Sequence, residues 1–244
     1  MGARFEEIDR RETAMGLLTV RRRFEPTLEV DVYEVKLGDE FLMSSLFTVA
    51  EIQLAELGLA AVPDTGEPID VLVGGLGLGY TARAALVDPR VRSVHVVEAL
   101  DAVIEWQERE LLPLAADLVT DRRCHLVHGD FFAMVASEAP FGPEAPDRFD
   151  AILVDIDHTP THLLHPSHAA FYEAPGLTHL AARLQPGGVF GLWSDDGPDL
   201  RFLDVARSVF ATCEAHTVTF PNFYTGGESS STVVIACAAD LSPA

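Results

Sequence analysis

Val71-Leu72-Val73-Gly74-Gly75-Leu76-Gly77-Leu78-Gly79 is a short apolar run that ends in glycines. Three successive apolar residues without alternation suit a strand buried on both faces, as in a parallel sheet covered by helices. The glycines that follow carry no Cβ and let the backbone approach a ligand closely. A helix is expected next, over 80–86. The cycle then recurs, with strands expected at 94–97, 125–127, 151–154 and 189–193. Helices are expected at 101–114, 131–137, 169–184 and 200–210. Alternating strands and helices define a doubly wound α/β domain.

Both ends of the chain depart from this rhythm. Segments 215–220 and 232–238 read as strands joined by Asn222, Gly226, Gly227 and three serines, with no helix between. They are expected to form an antiparallel hairpin that completes a seven-stranded, Rossmann-like sheet with helices on both faces. Upstream, apolar residues at Leu18, Val20, Leu28, Val30, Val32, Val35 and Leu37 alternate with charged ones. Glu25-Pro26 and Gly38-Asp39 mark turns between them. This predicts a small N-terminal β-hairpin unit, followed by a helix over 43–60 and a proline-containing linker at 61–69. The expected division is therefore 1–60 and 61–244.

Composition narrows the function. The 244 residues carry 17 Lys and Arg against 38 Asp and Glu, a formal charge of −21. Such a surface argues against nucleic acid, whose phosphates require a basic face, and against anionic membranes. It suits a cationic small molecule such as an amine. The hydrophobic share of 48% allows a large core. Cys124, Cys213 and Cys237 are scattered and odd in number, which fits a reducing cytoplasm rather than a disulfide framework. The first ten residues lack an apolar signal core, and no apolar run approaches the ~20 residues of a membrane span.

In open α/β sheets, ligands sit beyond the carboxyl ends of the strands. Reading those ends in order gives Gly74, Gly75, Gly77 and Gly79 after the first strand and Glu98 after the second. Asp130 follows the third, Asp155 and Asp157 the fourth, and Asp195 and Asp196 the fifth. Glu98 is placed to accept both hydroxyl protons of a ribose, and Asp130 the amino group of adenine. Gly77-Leu78-Gly79-Tyr80-Thr81-Ala82 also satisfies G-x-G-x-x-A with Glu98 about 20 residues on, as in a dinucleotide fingerprint. That parse leaves Gly74, Gly75 and Asp130 without a role.

These residues resemble the spermidine synthase family, the polyamine aminopropyltransferases, over most of the chain. Asp39-Glu40-Phe41 is similar to the family's DEF segment. Glu98 with Val103-Ile104, and Gly129-Asp130, resemble its second- and third-strand motifs. Phe149-Asp150-Ala151-Ile152-Leu153-Val154-Asp155 resembles its fourth strand. Phe171-Tyr172-Glu173, followed by Leu184-Gln185-Pro186-Gly187-Gly188, resembles the fifth unit. The resemblance implies a homodimeric enzyme of polyamine biosynthesis on the AdoMet-dependent transferase sheet. Its co-substrate would be decarboxylated S-adenosylmethionine or S-adenosylmethionine, with no metal, and its acceptor a small amine. Glycines 74, 75, 77 and 79 with Glu98, Asp130 and Asp155 would hold the nucleoside. Asp155, as the family's catalytic aspartate, would take a proton from the attacking amine or orient it.

Three positions depart from the family pattern. Gly77 stands where the family has an aspartate that holds the aminopropyl ammonium. Leu42-Met43-Ser44-Ser45 replaces a Tyr-His pair. Asp155-Ile156-Asp157-His158-Thr159-Pro160 rewrites Asp-x-x-Asp-Pro. Asp157 and His158 are kept as catalytic candidates, His158 as a base that titrates near neutrality. His158, His162, His165 and His168 lie close enough in sequence to suggest a metal site, but Pro160 and Pro166 break the helical spacing that would align the rings. Trp193 with Asp195-Asp196 suits either a cation wall or core packing. Methyl transfer on the same frame, and a non-catalytic nucleoside-binding protein, are the alternative functions.

Overall fold

The computed structural model describes residues 5–137 and 139–240. Strands β5 (Ile69–Gly74), β6 (Val91–Glu98), β7 (Cys124–His128), β8 (Phe149–Val154), β9 (Leu184–Ser194), β10 (Thr212–Asn222) and β11 (Gly227–Cys237) form one sheet. Its order is β10-β11-β9-β8-β5-β6-β7. β5 pairs in parallel with both β6 and β8, whereas β11 is antiparallel to β9 and to β10.

Alternate residues of each buried strand point to opposite faces. Val71, Val73 and Leu153 pack into one apolar layer, and Leu72, Ile152 and Val154 into the other. The first layer is covered by α1 (Val49–Ala61), α2 (Tyr80–Val87), α3 (Asp101–Glu108) and α4 (Ala115–Thr120). The second is covered by α5 (Phe131–Ala136), α6 (Ala174–Ala181), α7 (Leu200–Val209) and a 3-10 helix at Pro166–Tyr172.

The helix expected at 101–114 stops at Glu108, Glu110 just beyond it has φ 54°, and α4, which was not expected, follows at 115–120. The helix expected at 169–184 is a 3-10 turn, an extended Glu173 (ψ 163°) and a shorter helix. Pro175 lies in the first turn of α6, where its missing N–H costs nothing, and cannot continue a helix from upstream. The expected 43–60 helix begins only at Val49, because 40–44 extends the N-terminal sheet.

That N-terminal unit is larger than one hairpin. β1 (Phe5–Thr13), β2 (Gly16–Glu25), β3 (Val30–Leu37) and β4 (Glu40–Ser44) form a four-stranded antiparallel sheet. β1 shows no apolar alternation, because ion pairs hold much of it. Arg22 Nη2 lies 2.6 Å from Glu6 Oε2. The Trp106 indole N–H donates to Asp9 (2.7 Å), and Arg11 donates to Glu105 (2.8 Å), which docks the strand on α3. Leu18, Val20 and Val35 join the first core layer. α1 lies on the large sheet: a Cβ at Gly191 would come within 2.9 Å of both Leu54 and Leu153.

Candidate active site

The chain changes direction across the sheet between β5 and β8, and the crevice at their carboxyl ends is the expected ligand position. Gly74 pairs with Val154, so the glycine loop and Asp155 leave the sheet side by side. The Asp155 N–H donates to the Gly74 carbonyl (2.8 Å). Gly75 (φ 95°) passes so near that a Cβ there would lie 2.1 Å from the Asp155 carbonyl oxygen; only glycine fits. The loop is fixed further by Gln107, whose amide donates to the Gly77 carbonyl (3.1 Å).

Two cavities of about 300 and 290 Å³ open here and share Met43, Gly77, Asp155 and Leu164 as a common wall. One contains Glu98 and the other Glu51. The Glu98 cavity is lined by Gly75, Val97, Glu98, Asp130, Phe132 and His168. Glu98 Oε2 accepts from the Leu76 N–H (3.1 Å) and Oε1 from the Leu100 N–H (2.9 Å). Burial pushes its carboxyl upward despite those donors. Asp130 caps α5, accepting from the Ala133 N–H (3.1 Å), and its side chain is exposed.

The Glu51 cavity brings Glu51, Asp155 and Asp195 together with Tyr80, Trp193 and Phe47. Asp155 Oδ2 accepts from the Thr81 hydroxyl (2.8 Å). Burial raises its carboxyl to about 6 against that hydrogen bond. Glu51 is raised to about 8 by burial first and by the charges of Asp155 and Asp195 second. A neutral or cationic visitor is favoured here, and an anion is repelled. Trp193 both packs against the core and lines this cavity.

The site residues expected from sequence are not all brought together. Gly75, Gly77, Glu98, Asp130 and Asp155 line the Glu98 cavity, while Gly77, Gly79, Asp155 and His158 line the Glu51 cavity. Gly74 lies beneath, against the Phe131 ring, where a Cβ would come within 2.8 Å. Asp157, expected among the catalytic candidates, lines neither cavity and is 1% exposed. Its carboxylate accepts from the Leu164 N–H (2.7 Å) and the Tyr172 hydroxyl (2.9 Å), and pairs with His168 Nδ1 (2.8 Å). It therefore orders the loop after β8 instead of facing an acceptor.

The histidines serve separate elements. His158 and His162 both reach Glu40, at 3.2 and 3.4 Å, tying this loop to β4. His165 caps the 3-10 helix. Among the described residues no group of three or more His, Cys, Asp or Glu converges as metal ligands. Glu51 and Thr81 were not found from sequence. They sit on α1 and α2, away from the carboxyl ends of the strands, and only tertiary packing delivers them to Asp155.

The strand order and the antiparallel terminal hairpin give a methyltransferase-like fold, with two cavities at the switch point of its sheet. The model of the spermine/spermidine synthase domain matches residues 49–234, and the chain belongs to that family. Polyamine aminopropyltransferase 2 of Pseudomonas aeruginosa is 30% identical over 167 residues, 64% of this chain and 44% of that protein. Putrescine N-methyltransferase 2 of Nicotiana tabacum is 32% identical over 137 residues, 56% of this chain and 34% of that protein. The chain thus spans less than half the length of these relatives. Spermidine synthase from Thermotoga maritima superposes with a TM-score of 0.72 at 18% identity, covering 96% of this chain and 73% of that one. A spermidine synthase bound to the transition-state analogue AdoDATO gives a TM-score of 0.73 at 18% identity, covering 96% and 74%. Among the described residues no helix is long and apolar enough to cross a membrane.

Proposed function

We propose that this protein transfers an aminopropyl group from decarboxylated S-adenosylmethionine to a small amine, with the nucleoside in the Glu98 cavity and the amine in the Glu51 cavity. The observation that carries this reading is the shared wall at Asp155. A nucleoside reaching from Glu98 and Asp130 would present its sulfonium carbon near Gly77, facing the acidic compartment.

The step balances without further reagents. The amine lone pair attacks the carbon bonded to the sulfonium, the C–S bond breaks, and its electron pair returns to sulfur, leaving methylthioadenosine. The ammonium proton must leave before attack, and Asp155, raised toward neutrality in a half-buried site, is matched to accept it. Asp195, and Glu51 once a bound cation draws off its proton, offset the charge of a cationic acceptor. The leaving group is already cationic and needs no general acid, so positioning supplies most of the remaining rate. Asp157 and His158 are assigned positioning roles, Asp157 through His168 and Tyr172, His158 through Glu40.

A second reading, methyl transfer from intact S-adenosylmethionine, is favoured by one observation. A Cβ at Gly77 would lie 2.8 Å from the Met43 sulfur, so an apolar side chain borders the place where the family's ammonium-binding aspartate stands. Incubation with either co-substrate and a panel of diamines, with products identified by mass, separates the two. Aminopropylated amine and methylthioadenosine support the first reading, and methylated amine the second. Release of neither nucleoside product from any pairing contradicts both.

A further inference from the structure

The transfer step makes no direct use of the far end of the Glu98 cavity, where Asp130, Phe132, Ser167 and His168 converge. If Glu98 takes the ribose and Asp155 borders the reacting carbon, this end receives the base; the inference therefore rests on the proposed nucleoside site. We infer that His168 is a specificity-determining residue, whose Nε2 accepts one N–H of the adenine 6-amino group while Asp130 accepts the other.

The chemistry follows from what surrounds the ring. Asp157 accepts from Leu164 and from Tyr172. Burial and the Asp157 charge hold the Tyr172 phenol far above its ordinary value, so its hydroxyl stays a donor. A carboxylate placed this way is an acceptor toward the ring, which puts the proton on His168 Nδ1 (2.8 Å from Oδ1, 3.1 Å from Oδ2). In the neutral ring Nε2 then carries a bare lone pair. His168 is only 8% exposed and lines the cavity. Its Nε2 has no hydrogen-bond partner among the described residues, nor is it one of the sealed, unsatisfied atoms. Phe132 packs on the ring at 4.1 Å between centroids and restricts its rotation. An acceptor of fixed tautomer recognises an amino group and opposes a carbonyl at the same position. Asp157 is the positioning residue that sets this tautomer, which accounts for its burial away from both cavities.

The test titrates the protein calorimetrically with 5′-methylthioadenosine and with 5′-methylthioinosine, whose base has a carbonyl in place of the amino group. The wild type should prefer the adenosine. His168→Phe, which keeps an aromatic ring against Phe132, should weaken methylthioadenosine about 5- to 10-fold and leave methylthioinosine unweakened or bound more tightly. An unchanged ratio between the two ligands, or equal losses for both, overturns the assignment. A second readout needs no substitution. The ring 15N signals of His168 should show a protonated Nδ1 and a bare Nε2 that responds to methylthioadenosine; a protonated Nε2 in the neutral ring contradicts it. Binding of both nucleosides without preference would remove the amino-group acceptor roles of His168 and Asp130 and leave the nucleoside site standing. Binding of neither would remove the nucleoside site itself, and this inference with it.

Discussion

Asp155 owes its position to backbone and its chemistry to burial. The parallel pairing of β5 with β8 sets its main chain against Gly74, and the Thr81 hydroxyl then fixes the carboxylate. Asp155→Asn should abolish turnover while leaving methylthioadenosine binding within a few-fold of wild type, as read by steady-state rates and calorimetry. Retained turnover would remove its role as proton acceptor. The base form of a carboxyl raised to about 6 is lost as pH falls, so kcat/KM should decline below about pH 6. Thr81→Val removes a hydrogen bond that favours the charged form. The acid limb should then move to higher pH, by roughly half to one pH unit; a limb that stays in place would mean Thr81 does not tune Asp155. At this scale the strand-end rule made legible where Glu98, Asp130 and Asp155 lie, beside a cavity. It did not reveal that Asp157, only two residues beyond Asp155, turns away from the cavities, because side-chain direction in a loop depends on partners such as Leu164 and Tyr172.

Element packing explains what else was hidden. The alternating strands and helices were readable because apolar runs and glycines punctuate them, and the terminal hairpin because no helix interrupts it. β1 was not readable, since its sequence Phe5–Thr13 is mostly charged and is held by Arg and Glu pairs across to β2 and α3. α1 was read as part of the N-terminal unit, yet it delivers Glu51 to the site because its apolar side lies on β9 and β8. At Gly191 the strand passes close under Leu54 of the helix. Gly191→Val should force Leu54 and Leu153 apart and destabilise the protein by about 1–3 kcal/mol, measured by denaturant unfolding. A neutral effect would mean that this contact is loosely packed.

The whole molecule carries a strongly acidic balance, and part of that charge is concentrated where burial opposes it. Glu51, Glu98 and Asp155 all titrate above their ordinary values in the fold. A carboxyl raised on folding binds more protons in the native state than in the unfolded one. Stability therefore falls as pH rises from the unfolded value near 4 through the folded value. Glu51→Gln should consequently raise Tm at pH 8 and have little effect at pH 4. A loss of stability at pH 8 would mean that Glu51 is paired rather than strained. The same excess of negative charge facing one compartment is what makes a cationic acceptor the reading best matched to this site.

The most direct measurement is calorimetric titration of the protein with decarboxylated S-adenosylmethionine, S-adenosylmethionine, methylthioadenosine and NAD in parallel. Methylthioadenosine and decarboxylated S-adenosylmethionine should bind and NAD should not, with Glu98→Ala weakening the nucleosides. Binding of NAD alone, or of none of the four, would contradict the assignment of the Glu98 cavity and the transfer chemistry built on it.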